Sequence, residues 1–392
     1  MENQIYYFDN NATTRVAPEV LETMLPYFSE LYGNSSSMHD FGGSLGDVVD
    51  KARSQVANLL GAEDPSEIIF TSCGTESDNA AINSAVLSQP GKKHIITSKV
   101  EHPAIINYYE YLEKNGYDIT WLDVDGDGLL SPESVINKVR SDTALVSLMW
   151  ANNETGVIFP VEEIAAELKK KNVIFHTDAV QAAGKIPIDL KNNQITMLSI
   201  SGHKLHAPKG IGALYVRRGT MFKPFIIGGH QERGRRAGTT PVAMIAGLGK
   251  ACDLAEMNMD EENVRVKYLR DLLENLISES VPAIEFIGHR DQRLPNTANI
   301  SFGYIEGEAI LLMLSEMGIA ASSGSACSSG SLEPSHVLRA MGKPFETCHA
   351  SIRFSLSIYN TEEEVRHVAS VIPDIIRTLR RISPFTPREL IS

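Results

Sequence analysis

Hydrophobic and polar positions fall into two regimes along the chain. Between residues 68 and 216, short apolar runs alternate with stretches of helical period. Ile68-Ile69-Phe70 precedes TSCGTESD and the helical pattern NAAINSAVL. HIITSKV reads as a strand, followed by His102 and a helix opening at Pro103. TALVSLMW, VIFHTDAV, ITMLSIS and IGALYV read as further strands, with a helix at VEEIAAELKKK between the first two. Short apolar runs separated by helices are the pattern of strands buried on both faces, so the segment predicts an α/β domain with a largely parallel sheet. The character changes near residue 256. MDEENVRVKYLRDLLENLI predicts a long amphipathic helix with an acidic first turn. IEFIGH, NTANISFG, the helix GEAILLMLSEMG, the alternating strand SIRFSLSI and a closing helix from Thr361 predict a smaller α+β domain.

Composition adds exclusions. The 392 residues leave room for two or three domains, and 43% hydrophobic with 22% charged residues is ordinary for a globular protein. A formal net charge of −13 disfavours general binding to nucleic acid or anionic membrane. Residues 202–238 run against that total, with eight Lys/Arg and one acid, Glu232, which fits a phosphate or carboxylate ligand. No apolar run has the length of a membrane-spanning helix, and MENQIYYFDNNATTR lacks the basic-then-apolar order of a secretory signal; both point to a cytoplasmic protein. Cys73, Cys252, Cys327 and Cys348 form no CxxC pair, which argues against a disulfide framework and a cysteine zinc site.

Ligands of open α/β sheets bind beyond the carboxyl ends of the strands. The strand ends here deliver Gly74 and Thr75, then His102, Asn153, Asp178 with Gln181, and finally Ser201, His203 and Lys204. Turn propensity alone explains Gly, Asp and Asn, but it less often supplies His, Lys and Gln at one edge. A lysine can form a Schiff base, and an Asp on a preceding strand can hold a protonated pyridine nitrogen. That pair is what pyridoxal phosphate (PLP) needs. Thr75-Glu76-Ser77-Asp78 has the form of a capping box, which would set free N–H groups beside Gly74 for a phosphate. Taken singly, Thr75 could be an ordinary helix cap, Asp178 a turn acid and Lys204 a surface lysine. Other signals are weaker. DVDGDGLLSPES has a calcium-loop start but Ser134 where a bidentate Glu is needed, and reads as a hairpin turn. His203 and His206 flank Lys204 without a clear third ligand, so no metal is expected. IIGGHQERGRRAG lacks the dinucleotide order, and Cys73 reads as a small packing residue.

FDNNATTR, TSCGTESDN, VEHPA, WANNETG, FHTDAVQAAGK, SGHKLHAPKG, GGHQERGRRAGT, LPNTANISF, ASSGSACSSGSLEPSHVLRAMG and IRFSLS resemble cysteine desulfurases of the NifS type, over almost the whole chain. The resemblance implies the PLP-dependent transferase fold of the aspartate-aminotransferase type: a large PLP-binding domain at 15–256 with a mainly parallel mixed sheet, and a small domain from 1–14 and 257–392. It implies that Lys204 carries PLP, that His102 stacks on the ring and assists proton transfer, that Asp178 pairs with the pyridinium and Gln181 with the ring hydroxyl. Gly74, Thr75, Ser201 and His203 would bind the phosphate, with Thr239 reaching it from the partner subunit of a homodimer. Asn153 and Arg353 would bind the substrate carboxylate, with Asn10 and Asn11 nearby. Cys327, in the Ser/Gly loop SSGSACSSGS, would be the nucleophile that takes sulfur from L-cysteine as a persulfide and leaves L-alanine. An iron–sulfur scaffold protein of the NifU kind would accept the sulfur, for nitrogenase. One position departs from the closest pattern, Thr240-Pro241 in place of a Glu-Asn pair. The alternatives are a housekeeping desulfurase for iron–sulfur and tRNA thiolation, another PLP reaction such as transamination or selenocysteine cleavage, and a non-catalytic scaffold retaining the fold.

Overall fold

The computed structural model describes residues 4–323 and 334–390. Its strands are β1 (Tyr6–Tyr7), β2 (Ile68–Thr71), β3 (His94–Ser98), β4 (Asp118–Leu122), β5 (Thr143–Met149), β6 (Ile174–Asp178), β7 (Met197–Ser201), β8 (Gly212–Val216), β9 (Ile284–Phe286), β10 (Thr297–Phe302), β11 (Ile319–Ala320) and β12 (Ser351–Ser355). Seven of them form the main sheet, in the order β2-β8-β7-β6-β5-β3-β4. β8 is antiparallel to both neighbours, and the remaining pairs are parallel. β2 and β7 both oppose β8, so six of the seven strands run the same way and end on one edge.

Alternation along each strand sends side chains to two helical layers. Ile69, Ile95 and Leu145 pack with the helices Gly74–Ser88 and Pro103–Lys114. Ile68, Phe70, Ile96 and Leu198 pack on the other face, with the helices Leu45–Leu59 and Val161–Lys170. A second sheet, β12-β10-β9, is antiparallel and builds its own apolar cluster with the helix Glu362–Ile382. The N-terminus joins that cluster: β1 pairs in parallel with β11, and Phe8 is buried there.

The helix Val242–Ser280 connects the two clusters. Val242, Ile245, Leu248 and Ala251 enter the larger core, while Val266, Leu269, Leu273 and Ile277 enter the smaller one. It begins about five turns before the amphipathic stretch that marks it in the sequence, because its first half is apolar on nearly every side and shows no stripe. Val337, Leu338, Met341 and Cys348, although late in the chain, pack with the larger core. The Asp125–Leu129 turn is closed by Asp125 Oδ1, which accepts from the N–H of Asp127 at 3.0 Å and of Leu129 at 2.8 Å. It leads from the edge strand β4 to the short helix Pro132–Ile136 and joins no two strands, so the expected hairpin is instead a strand-to-helix turn. No helix among the described residues is long and apolar enough to cross a membrane.

Gly249 sits where the long helix crosses Leu45–Leu59. A Cβ there would lie 2.6 Å from Ala52 Cα. Gly249→Ala is expected to cost about 1–3 kcal/mol in urea unfolding, even though Ala is the better helix former by about 1 kcal/mol. A gain in stability would show that propensity outweighs the close crossing.

Candidate active site

A cavity of about 270 Å³ opens at the common strand edge. It gathers Asn11, Gly74, Thr75, His102, Asn153, Asp178, Gln181, Ser201, His203, Lys204 and Arg353. Asn10 is buried behind it, where its amide donates to Ser355 O at 2.8 Å. Thr239 is exposed and does not line the cavity within a single chain. Cys327 lies outside the described residues.

The helix Gly74–Ser88 begins directly after β2 and points its N-terminus into the cavity. Its cap is not Thr75. The Sγ of Cys73 accepts from the N–H of Glu76 at 3.4 Å, and the Glu76 carboxylate reaches back to the N–H of Ser72 at 2.7 Å. The N-cap is thus two residues upstream of the expected one, with sulfur in the acceptor role, and Glu76 reaches past it to the N–H of the preceding residue, Ser72. Thr75 is thereby freed, exposed in the first turn. A Cβ on Gly74 would meet Val180 Cγ2 at 2.9 Å and Ser201 Cβ at 3.3 Å, so only glycine lets β7 approach the helix start. Ser201 Oγ is buried with no hydrogen-bond partner among the described residues, as is Gln181 Oε1. Unmet buried polar atoms beside a helix N-terminus fit an anionic, hydrogen-bonding ligand.

Asp178 ends β6. One carboxylate oxygen accepts from the N–H of Val180 at 2.9 Å. Burial raises its pKa above the usual carboxylate range, against the pull of that N–H and of Lys204. A buried acid of this kind suits a protonated ring nitrogen. Lys204 follows β7; its Nζ donates to the carbonyls of Asn11 and, at 2.7 Å, Ala12. His102 caps the helix Pro103–Lys114 through Nδ1, which accepts from the N–H of Ala104 at 3.1 Å and leaves Nε2 as the protonated nitrogen of the neutral ring. Burial first, then Lys204 and His336, lower its pKa to about 4. His203 is likewise lowered to about 4, mainly by burial.

Arg353 is buried on β12. It donates to Asn153 O at 2.9 Å and to Asp9 Oδ1 at 2.7 Å, and its Nε has no partner among the described residues. Asn11 holds the neighbouring wall, donating to Thr297 Oγ1 at 2.9 Å and accepting from Gln181 Nε2 through its carbonyl at 3.0 Å. Asp9 and Glu101 lie within FDNNATTR and VEHPA, but the sequence assigns neither of them a role. Glu101 accepts from Ser98 Oγ at 2.6 Å and from the N–H of Met149 at 3.1 Å, which fixes the turn carrying His102. Much of the basic segment is structural: Arg217 caps the carbonyls of Leu190, Asn193 and Ile195, Arg233 and Arg235 donate to Ser66 O, and Arg236 forms a two-pronged pair with Glu76.

The fold and this edge define a PLP enzyme of the aspartate-aminotransferase type: an acid at the end of one parallel strand and a lysine in the turn after its neighbour, a helix N-terminus for phosphate, and a buried arginine facing the same space. Residues 6–368 match the family "Aminotransferase class-V". The chain is 58% identical to the cysteine desulfurase of Trichormus azollae (97% of this chain, 95% of that one) and 57% identical to cysteine desulfurase NifS of Azotobacter vinelandii (97% and 94%). A solved NifS-like protein superposes with a TM-score of 0.90 at 40% identity, covering 96% of this chain and all of that one. The chain belongs to the class-V aminotransferase family and, within it, to the PLP-dependent cysteine desulfurases of NifS type.

The pKa of His102 in the folded chain lies below its ordinary value of 6.5. The unfolded chain therefore binds this proton first, and His102 withdraws stability as pH falls from 6.5 towards 4. The ring is expected to stay neutral at pH 5.5 by NMR, and His102→Asn should lose less stability than wild type between pH 7 and 5. A His102 ring titrating at its ordinary value would refute the buried environment.

Proposed function

We propose that the site converts L-cysteine to L-alanine and passes the sulfur to Cys327 as a persulfide. The observation that carries this reading is the convergence of Lys204, Asp178, His102 and Arg353 on one cavity. The reaction balances without an oxidant: cysteine and the Cys327 thiol give alanine and Cys327–S–SH. When bound, PLP supplies the electron sink for charge developing at the substrate α-carbon. The chain's own residues do the rest. Asp178 keeps the ring nitrogen protonated. Gly74, Thr75, Ser201 and His203 bind the phosphate, and Gln181 the ring hydroxyl. Lys204 holds the cofactor and, with His102 above it, moves protons at the α-carbon. Arg353, with Asn153 and Asn11 beside it, takes the substrate carboxylate; a guanidinium fork suits this better than a lysine.

The enzyme acts as a homodimer in which Thr239 completes the partner's phosphate site. Large apolar side chains left in water on one chain support this: Leu25, Phe28, Tyr32 and Phe41 on one segment, Met221 and Ile227 on another. Two domains, 15–256 and 1–14 with 257–392, meet within the long helix; the change of cluster between Cys252 and Val266 supports that division. The reaction belongs in the cytoplasm, where a nucleophilic thiol stays reduced. Its sulfur goes to a NifU-like iron–sulfur scaffold for nitrogenase, a role supported by the 57% identity to the Azotobacter enzyme.

Two measurements test the reading. Wild type supplied with L-cysteine should form alanine and protein-bound sulfur in step, while Cys327→Ala should accumulate no such sulfur; normal accumulation in the variant rejects the persulfide. Arg353→Lys should raise KM for L-cysteine about tenfold or more, the value of a lost charged hydrogen bond, while PLP affinity changes little. Equal loss of both would reject a carboxylate-binding role.

A further inference from the structure

Ser322 and Ser335 bracket Cys327 in the chain, and both are bonded to the parts of the fold that present site residues. Upstream, Ser322 and Arg353 exchange main-chain bonds, Arg353 N–H to Ser322 O at 2.7 Å and Ser322 N–H to Arg353 O at 3.2 Å. Downstream, Ser335 Oγ donates to Glu154 Oε2 at 2.5 Å and accepts from the N–H of Leu338 at 3.2 Å. That hydroxyl therefore caps the helix His336–Ala340 and ties it to the turn after β5. His336 Nε2 donates to Glu101 O at 2.9 Å, on the turn after β3. Glu154 directly follows Asn153, and Glu101 directly precedes His102. Glu154 is itself held in place. It is buried, its N–H donates to Asn152 Oδ1 at 2.9 Å, and its carbonyl accepts from Asn299 Nδ2 of β10 at 3.2 Å. Asn152 Nδ2 in turn donates to Val100 O at 3.1 Å, which joins the two turns.

We propose that Glu154 is a positioning residue for sulfur transfer: by holding Ser335 beside Asn153, it fixes where the chain beyond Cys327 returns to the fold and so keeps the thiol within reach of the substrate. The proposal rests on the reading of Cys327 as the nucleophile and of Arg353 and Asn153 as carboxylate contacts. A tethered group reacts at a rate set by its effective concentration at the reacting atom, and that concentration falls when an anchor of the tether moves away. Here the upstream anchor is Arg353 itself, and the downstream anchor is the neighbour of Asn153. Both anchors thus belong to the substrate's own seat and not to a remote part of the scaffold. An acid suits the downstream tie. Ser335 Oγ accepts from Leu338, so its one hydrogen needs a buried acceptor, and a carboxyl oxygen provides one in either charge state. Glu154 is not part of the cavity wall, so its effect is on the placing of another group.

The test compares two rates in the holoenzyme given L-cysteine: the change of the cofactor's visible band, which needs no Cys327, and the appearance of protein-bound sulfur, which does. Glu154→Ala should slow sulfur appearance about tenfold or more, the scale of one lost buried hydrogen bond, while PLP affinity and the band change stay within about threefold. Glu154→Gln keeps a carbonyl acceptor and Ser335→Thr keeps the hydroxyl; both should hold all three readings within about threefold of wild type. Ser335→Ala should slow sulfur appearance in the same direction, and it serves where Glu154→Ala does not fold. Combining the two alanine changes should slow it no further than the slower of them, because both cut one bond. Sulfur appearing at the wild-type rate in Glu154→Ala or in Ser335→Ala would overturn the proposal. Equal slowing of the band change and of sulfur appearance would also overturn it, because that marks general damage to the site. Normal sulfur accumulation in Cys327→Ala would instead overturn the underlying reading of the nucleophile.

Discussion

Six strands that end on one edge are the constraint on which this molecule depends. A parallel sheet needs a crossover after every strand, and each crossover begins with a short turn at the same rim. That geometry brings residues as distant as Gly74, His102, Asn153, Asp178 and Lys204 to within one cavity. β8, the only reversed strand, contributes no rim residue; it fills the space between β2 and β7 and lets the helix after β2 lie beside Ser201. The site is thus a consequence of strand direction before it is a matter of side-chain chemistry.

The titratable groups at and beneath the rim are also buried, and burial selects charge states. Histidines at 102, 176 and 203 are all held neutral, while the acids at 78, 101 and 178 are all pushed upward. A pocket that disfavours its own charges gains most from a ligand that brings complementary ones. A protonated ring nitrogen beside Asp178 and a phosphate at a helix N-terminus meet that condition with little rearrangement. Lys204 meets it in the meantime by donating to two main-chain carbonyls of the N-terminal segment.

Strand identity and the rim residues were legible in the sequence because buried parallel strands write themselves as uninterrupted apolar runs, and the first polar residues after each run must lie at the rim. The buried polar partners were less visible. His176 and Asp78 sit inside strand and helix patterns, where a polar residue reads as an interruption; only the spacing of two before Asp178 and four after Gly74 marks their direction. The cap at Cys73 was hidden because thiols are weak acceptors and Thr75 offered a better match to the usual motif. The start of the long helix was hidden for the opposite reason, since a segment apolar on most sides has no period to detect. The basic run at 202–238 misled in part: four of its arginines satisfy carbonyls and Glu76 and not a ligand.

The N-terminal segment carries a consequence that its short length conceals. Asp9 holds Arg353, Asn11 holds Gln181 and the wall beside Asn153, and the carbonyls of Asn11 and Ala12 hold Lys204. The same segment is anchored to the second cluster through β1 and Phe8. Under the proposed roles, a substrate carboxylate at Arg353 would compete with Asp9 for the guanidinium, and a cofactor held by Lys204 would take the donor from Asn11 and Ala12. Both events would release bonds made by Asp9, Asn11 and Ala12, three residues within one turn of chain. Cofactor and amino acid would then act on one strap, with Asp9 balancing the arginine's charge in place of the substrate anion.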